Sequence, residues 1–425
     1  MILRNCKVLD GNNLVIRDIK IKNKVIELID KNIDNDDFCL EYDLKNKLVS
    51  PAFIDMHVHL REPGFEQKET IKTGTKSGAC GGYSLICAMP NTNPIIDNES
   101  TINKFNEIVK RDAIIKVKTY SAITKGFDNE LVDFSINAKN TCGFSNDGVG
   151  VQTAGVMYEA MQEVAKNESL ISAHCEDESL LYKGYVHAGK KALQENWKGI
   201  LSISESVQVA RDMLLSNATG CRYHVCHIST KESVNIVASA KKNSNKISCE
   251  VTPHHLLLTE NDVKNSNYKM NPPLRSIEDR DALIKGLLDG TIEVIATDHA
   301  PHTIAEKSQS IDKAPFGIVG LETAFALIYT NFVKTNRATI KQCIEWFSVN
   351  PAKILNLGYG HLEIGRVADL VVIDEETARE ININKSYSKG RNSPFDKVVC
   401  YGYPVMTIVD GKVIYDYERN YIKGD

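Results

Sequence analysis

Asp55-Met56-His57-Val58-His59-Leu60-Arg61-Glu62-Pro63-Gly64 ends an apolar segment with two imidazoles one residue apart and an arginine two positions on. Alternation along a strand over 53–59 turns His57 and His59 to the same face, so both rings reach one cation. Arg61 then offers a planar fork for a carboxylate beside that cation. Reactive side chains gathered at the end of a strand are what a parallel barrel builds at the carboxyl ends of its strands. Working outward, the same arrangement recurs along the chain.

Short β-rich apolar runs occupy 52–59, 83–89, 115–122, 142–147, 170–174, 222–227, 246–252 and 292–298, with helical or loop material between them. The helices read less clearly, but 153–166 and 205–215 carry apolar residues at helical spacing, and Ser204 with Glu205 reads as a helix start. Strands alternating with helices argue for parallel βα units, and eight units predict an α/β fold, a (β/α)8 TIM-like barrel. A doubly wound open sheet gives similar periodicity with fewer strands. Polar residues fall at the predicted strand ends: His57 and His59, Asn91, Asp147, His174, His227 and Asp298, with Thr124 after the third strand and His254, His255 and Asn271 after the seventh.

Outside the barrel, 2–29 and 369–415 read as short strands broken at Asp10-Gly11-Asn12-Asn13, Lys22-Asn23-Lys24 and Asp410-Gly411-Lys412. Neither end is long enough to form a good core alone. The economical arrangement is one small composite β-sandwich from both termini, which predicts halves at 1–50 and 355–425 around a barrel at 51–354.

The 425 residues carry 51 basic against 55 acidic side chains, a net charge of -4, with no dense Lys/Arg cluster. That composition argues against nucleic-acid and membrane surfaces and for a small-molecule substrate. Eleven cysteines lie scattered from Cys6 to Cys400 without a CxxC pair, which fits a reducing compartment better than a disulfide framework. Met1-Ile2-Leu3-Arg4-Asn5 lacks the features of a signal peptide, and no stretch approaches a membrane span, so the expected location is the cytoplasm.

His57, His59, His174 and His227 with Asp147 and Asp298 supply four imidazoles and two carboxylates, a donor set that suits zinc. They suffice for one or two Zn2+ ions, two being preferred: His57, His59 and Asp298 on one, His174 and His227 on the other, Asp147 between. Two cations about 3.5–4 Å apart can share a hydroxide and polarise the attacked carbonyl. Asp298 touches the same water and can carry its proton. His187, His224 and His361 have no partner motif and read as structural or surface residues, while His254 and His255 read as groups that orient ligands from behind. Cys175 reads as a buried thiol turned away from the metal face.

The second informative block is Ala296-Thr297-Asp298-His299-Ala300-Pro301-His302-Thr303-Ile304-Ala305-Glu306-Lys307. Together with Asp55 to Arg61 it resembles the paired signatures of dihydroorotases of the class I bacterial type, in the metal-dependent amidohydrolase superfamily. The resemblance continues through Met89-Pro90-Asn91-Thr92, Glu250-Val251-Thr252-Pro253-His254-His255, Asn271-Pro272-Pro273-Leu274-Arg275 and Val367-Ala368-Asp369-Leu370. It implies the barrel and composite β-domain, and the reversible closure of N-carbamoyl-L-aspartate to L-dihydroorotate with loss of water. It implies Arg61, Asn91 and His302 for the substrate's second carboxylate, Asn271 for the ring, and Phe316 and Gly317 as substrate-binding residues at the end of a candidate lid over 302–317. A homodimer and association with aspartate transcarbamoylase are further expectations. Asn146-Asp147 stands where members of this type often carry two aspartates, so Asp147 alone is the bridging candidate. Hydantoinases and allantoinases share the barrel and histidines but take a neutral ring, with less need of Arg61 and Asn91. Barrels of the lineage that act only as structural partners lack the ligands, whereas all six candidates are present here.

Overall fold

Parallel strands Phe53–Val58, Tyr83–Ala88, Lys116–Thr119, Leu170–Ala173, Arg222–Val225, Ile247–Val251 and Val294–Ile295 run through the middle of the chain in the computed structural model, which describes residues 1–35 and 38–424. Their pairing follows sequence order. The expected fourth strand is reduced to bridges, Phe144 pairing with both Ser121 and Ile171. Its ladder still forms: Phe144 N–H donates to Leu170 O at 2.8 Å and Ser145 N–H to Ser121 O at 2.8 Å. The ring closes where Val58 bridges His299 and His59 N–H donates to His299 O at 2.8 Å. The barrel therefore wins over the open sheet, because an open sheet leaves its first and last strands unpaired.

Most of these strands are buried on both faces, as expected of a barrel filled by side chains inside and covered by helices outside, while Lys116–Thr119 is only partly covered. One predicted helix begins at Ala154 and ends at Lys166, close to the expected span. The other runs Ile203–Thr219, so Ser204 and Glu205 do not start it. Ser204 Oγ instead donates to Leu201 O at 2.7 Å, and Glu205 accepts the Ser229 and Thr230 N–H groups at 3.0 and 3.1 Å. The sequence pair mimics a cap, but Ser204 turns back to the preceding turn and distant partners claim Glu205.

Both termini enter one nine-stranded sheet, in which Leu48–Pro51 lies between Ile2–Asp10 and Leu370–Asp374. The turns predicted at Lys22-Asn23-Lys24 and Asp410-Gly411-Lys412 are tight hairpins, with Asn23, Lys24, Asp410 and Gly411 at φ of 50°, 71°, 49° and 69°. The sheet rolls: Ala368 N–H donates to Lys24 O at 2.8 Å and Ile26 N–H to Arg366 O at 2.9 Å. Alternation along Leu370–Asp374 sorts its side chains. Val371 and Ile373 pack with the barrel core, while Leu370 and Val372 join Leu3, Val8, Ile19 and Ile408 in a second core. That second core takes residues from both chain ends, which is why neither end folds its apolar face alone.

Candidate active site

The six metal-ligand candidates converge at the carboxyl ends of the strands. His57 Nε2 lies 3.2 Å from Asp147 Oδ1 and 3.6 Å from Asp298 Oδ1, and His59 Nε2 lies 3.0 Å from Asp298 Oδ1 and 3.4 Å from Asp147 Oδ2. On the far side, His174 Nδ1 is 3.1 Å from His227 Nε2, and these atoms are 3.8 and 3.6 Å from Asp147 Oδ1. Among the six candidates two donor sets result, His57 with His59 and Asp147, and Asp147 with His174 and His227; Asp147 belongs to both, and Asp298, expected with His57 and His59, stands beside the first set but in neither.

The outward ring nitrogens explain which lone pairs face inward. A carboxylate only accepts, so His57 Nδ1 donates to Glu250 Oε1 at 2.9 Å, which in the neutral ring leaves Nε2 without a hydrogen. His59 Nδ1 donates to Asn91 Oδ1 at 3.0 Å, and His174 Nε2 faces Glu176 Oε2 at 3.4 Å. The consequence is visible in the unsatisfied atoms: His57 Nε2 and Asp147 Oδ1 are buried without a hydrogen-bond partner. Orphaned donor atoms of this chemistry, facing one another, fit a divalent metal. Burial opposes charge on Asp147 and Asp298, yet the surrounding imidazoles hold both carboxyls below the usual range.

Backbone geometry presents these groups. Asp298 and His227 have φ of 47° and 30°, and Arg61 has φ of 63°, a region that costs energy for side chains with a Cβ and recurs at functional sites. Asp55 supports the first of these ends: it accepts Thr297 Oγ1 at 2.6 Å and His57 N–H at 3.0 Å, tying the first strand to the eighth. Burial pushes its carboxyl up to about 7.

His59, Arg61, Asn91, Asp147, His174, His227, Asn271, Asp298, Phe316 and Gly317 all line one cavity of about 140 Å³. His57 lies beneath its floor, fully buried. His302 stands behind the wall rather than in it. Its Nε2 donates to Phe316 O at 2.7 Å, and Nδ1 faces Lys68 Nζ at 3.4 Å. Burial, with Arg61 and Lys68 beside it, pushes this imidazole down to about 3, so it is neutral. Asn91 is likewise occupied, its oxygen on His59 and its nitrogen 3.4 Å from Asp147 Oδ2. Arg61 Nε donates to Pro301 O at 3.2 Å; burial pushes the guanidinium down to about 10, which leaves it charged at neutral pH.

Asn146 has a structural job that only the fold reveals. Its Oδ1 accepts Ile123 N–H at 2.8 Å and its Nδ2 donates to Thr124 Oγ1 at 2.7 Å, so an amide, with both a donor and an acceptor, is what the position uses. The expectation that His254 and His255 orient ligands takes another form. His255 spans Thr252 Oγ1 at 2.8 Å and Pro272 O at 2.9 Å, anchoring the segment that carries Asn271, and His254 Nε2 has no hydrogen-bond partner. Cys175 is buried, as expected, with Sγ 3.4 Å from Tyr223 Oη. His224 is structural and enters the site indirectly, its Nε2 3.1 Å from Glu250 Oε2.

Sequence reasoning assigned no part to Glu250 or Glu176. Burial opposes the ionisation of Glu250, but the His224 and His57 donors hold it well below the usual carboxylate range. A single carboxylate in the otherwise uncharged strand Ile247–Val251 was the available signal. Glu176 accepts from Asn271 Nδ2 at 2.9 Å as well as facing His174, and nothing in its local sequence marks it.

A family model described as dihydro-orotase-like matches residues 46–233. Over 424 residues the chain is 51% identical to a Listeria innocua protein named dihydroorotase, covering 99% of each. A Fusobacterium nucleatum protein of the same name is 51% identical over 418 residues, 98% of each chain. Among solved structures, the L-hydantoinase of Arthrobacter aurescens superposes with a TM-score of 0.86 at 24% identity over 98% of this chain and 96% of its own. The D-hydantoinase of a Thermus species does so at 0.86 and 24%, over 99% and 96%. At such identities these two establish the barrel fold alone.

Proposed function

The chain belongs to the dihydroorotase family, and on that premise we propose how its site performs the reversible closure of N-carbamoyl-L-aspartate to L-dihydroorotate in pyrimidine synthesis. The observation that carries the reading is the single cavity onto which five of the six ligand candidates and the half-buried Arg61 open. The His/Asp cluster and the family together imply a metal. We assign it as zinc, two ions per subunit, on the strength of the two donor sets that share Asp147. Zinc bound there polarises a carbonyl and makes water acidic enough to ionise near neutral pH.

The protein's own groups do the rest. Arg61 holds the carboxylate that does not react, which fixes orientation as well as charge. Asn271 meets the ring, while Phe316 and Gly317 close the wall. Asn91 and His302 act mainly through neighbours, Asn91 by orienting His59 and His302 by fixing the Phe316 carbonyl. Asp298, with Oδ1 3.0 Å from His59 Nε2, accepts a proton from the attacking water and returns it to the amide nitrogen in ring opening, and runs in reverse in ring closure.

Domain limits at 1–50, 51–354 and 355–425 belong to the same proposal, supported by the second core built from both ends. A cytoplasmic location is supported by eleven free cysteines. The homodimer and an association with aspartate transcarbamoylase rest on the family resemblance.

The test is interconversion of L-dihydroorotate and carbamoyl aspartate by purified protein, followed through the ring absorbance. Turnover lost on chelation and restored by zinc is the expected result. Zinc-loaded protein without turnover would move the reading to a neighbouring cyclic amidohydrolase.

A further inference from the structure

Lys307 closes the second signature block, yet no step of the reaction uses it. Its side chain is buried, at 6% exposure. Nζ donates to three main-chain carbonyls, Gly317 O at 2.9 Å, Pro315 O at 3.0 Å and Lys269 O at 3.2 Å. No carboxylate lies within ion-pair distance of it among the described residues. A buried ammonium without an anion is costly, and three carbonyl dipoles are what offsets that cost here.

The three carbonyls belong to the two segments that wall the cavity. Gly317 and Phe316 form one side, and Lys269 stands two residues before Asn271 on the other. The segments are already paired through Gly317 N–H, which donates to Lys269 O at 3.0 Å. Gly317 has no freedom to be another residue, since a Cβ at its φ of 127° would lie 2.7 Å from Ala300 Cβ. Asn392 Nδ2 shares the Gly317 carbonyl at 3.0 Å, and His302 takes that of Phe316.

We propose that Lys307 is a positioning residue: its ammonium clasps 315–317 to the Asn271 segment and thereby sets the substrate-binding geometry of the cavity wall. The inference rests on the dihydroorotase reading for its substrate but not for its geometry. Three acceptors around one nitrogen need three N–H donors, which only the protonated amine has. Burial, and the Lys269 ammonium nearby, push Lys307 down to about 7. The other groups facing this region do not offset that: His302 is neutral, Glu306 is paired with Lys68 at 2.9 Å, and the Lys269 amine, 4.6 Å over the Phe316 ring, is itself pushed down by burial to about 8 and so titrates after Lys307. The clasp therefore loosens as pH rises through neutrality.

The experiment compares wild type, Lys307→Met and Lys307→Arg for KM and kcat with L-dihydroorotate between pH 6.5 and 8.5, together with metal content. Lys307→Met keeps the length and apolar stem but removes the donors. It is expected to raise KM about tenfold at pH 6.5, the scale of one or two lost hydrogen bonds to a charged group, while kcat and bound metal change little. Wild-type KM should rise across the pH range relative to Lys307→Met, whose profile lacks that rise, and Lys307→Arg should restore part of the low-pH affinity. A Lys307→Met KM within twofold of wild type at pH 6.5 overturns the proposal. Amide exchange at Gly317 in the wild-type protein, corrected for intrinsic rates, serves as a second measure that needs neither a folded variant nor turnover. Protection that falls from pH 6.5 to 8.5 supports the clasp, and constant protection refutes it. Wild-type protein that lacks turnover yet shows falling protection would sink the substrate reading while leaving the clasp intact.

Discussion

Glu250→Gln isolates the contribution of groups behind the metal ligands. The carboxylate receives two ring N–H groups, from His57 at 2.9 Å and His224 at 3.1 Å, and all three side chains are fully buried. A glutamine of the same shape has one acceptor and one donor group, so one imidazole meets an N–H it cannot bond in its present tautomer. If that imidazole is His57, its proton shifts to Nε2, the atom that points at Asp147, and the lone pair needed for a metal is lost. If it is His224, Ser248 Oγ at 2.8 Å can accept or donate to Nδ1, so the tautomer change is tolerated. Loss of an outer partner typically weakens metal binding about 10- to 100-fold, or about 1.4–2.7 kcal/mol. The assay is zinc competition with a chelator of known affinity, read beside the thermal midpoint. Weakened zinc binding with a midpoint close to wild type is expected, and turnover recovers at high zinc. Zinc affinity within twofold of wild type would refute the reasoning, because a neutral amide in place of the carboxylate weakens His57 as a ligand in either orientation, by moving its proton to Nε2 or by lowering the basicity of the ring.

Three further changes probe the site from other directions. Asp298→Ala removes the proton carrier beside His59 and should abolish turnover while far-UV dichroism stays unchanged; measurable turnover near wild type would remove Asp298 from that role. Arg61→Lys replaces a fork by a point charge and should raise KM roughly tenfold, with kcat less affected; an unchanged KM would dismiss the carboxylate clamp. Glu176→Ala frees both His174 and Asn271, so zinc retention and KM should both worsen, and a variant impaired in neither would show the Glu176 contacts to be incidental.

Much of the site was legible because short spacing and strand alternation are local rules. His57 and His59 share a face by the period of a strand, and the recurrence of a polar residue after each apolar run already implied a barrel. Where local rules misled, a distant partner had intervened. Ser204 and Glu205 resemble a helix start, yet the Ser229 and Thr230 amides capture Glu205. Asn146 appeared as a missing aspartate until its bonds to Ile123 and Thr124 gave it a purpose of its own.

The sequence by itself determined the barrel, the six ligand candidates and the arginine proposed as the clamp, since each is written in residue type and spacing. Only the tertiary structure decided which nitrogen of each imidazole faces the centre, that Asp147 belongs to both donor sets, and that Glu250 and Lys307 support the site from behind. The physical reason is separation along the chain. Glu250 and His57 are 193 positions apart, and a hydrogen bond between them exists only once the barrel has closed. Proton placement is set by such bonds, so the chemistry of the ligands is a property of the fold even where their identity is a property of the sequence.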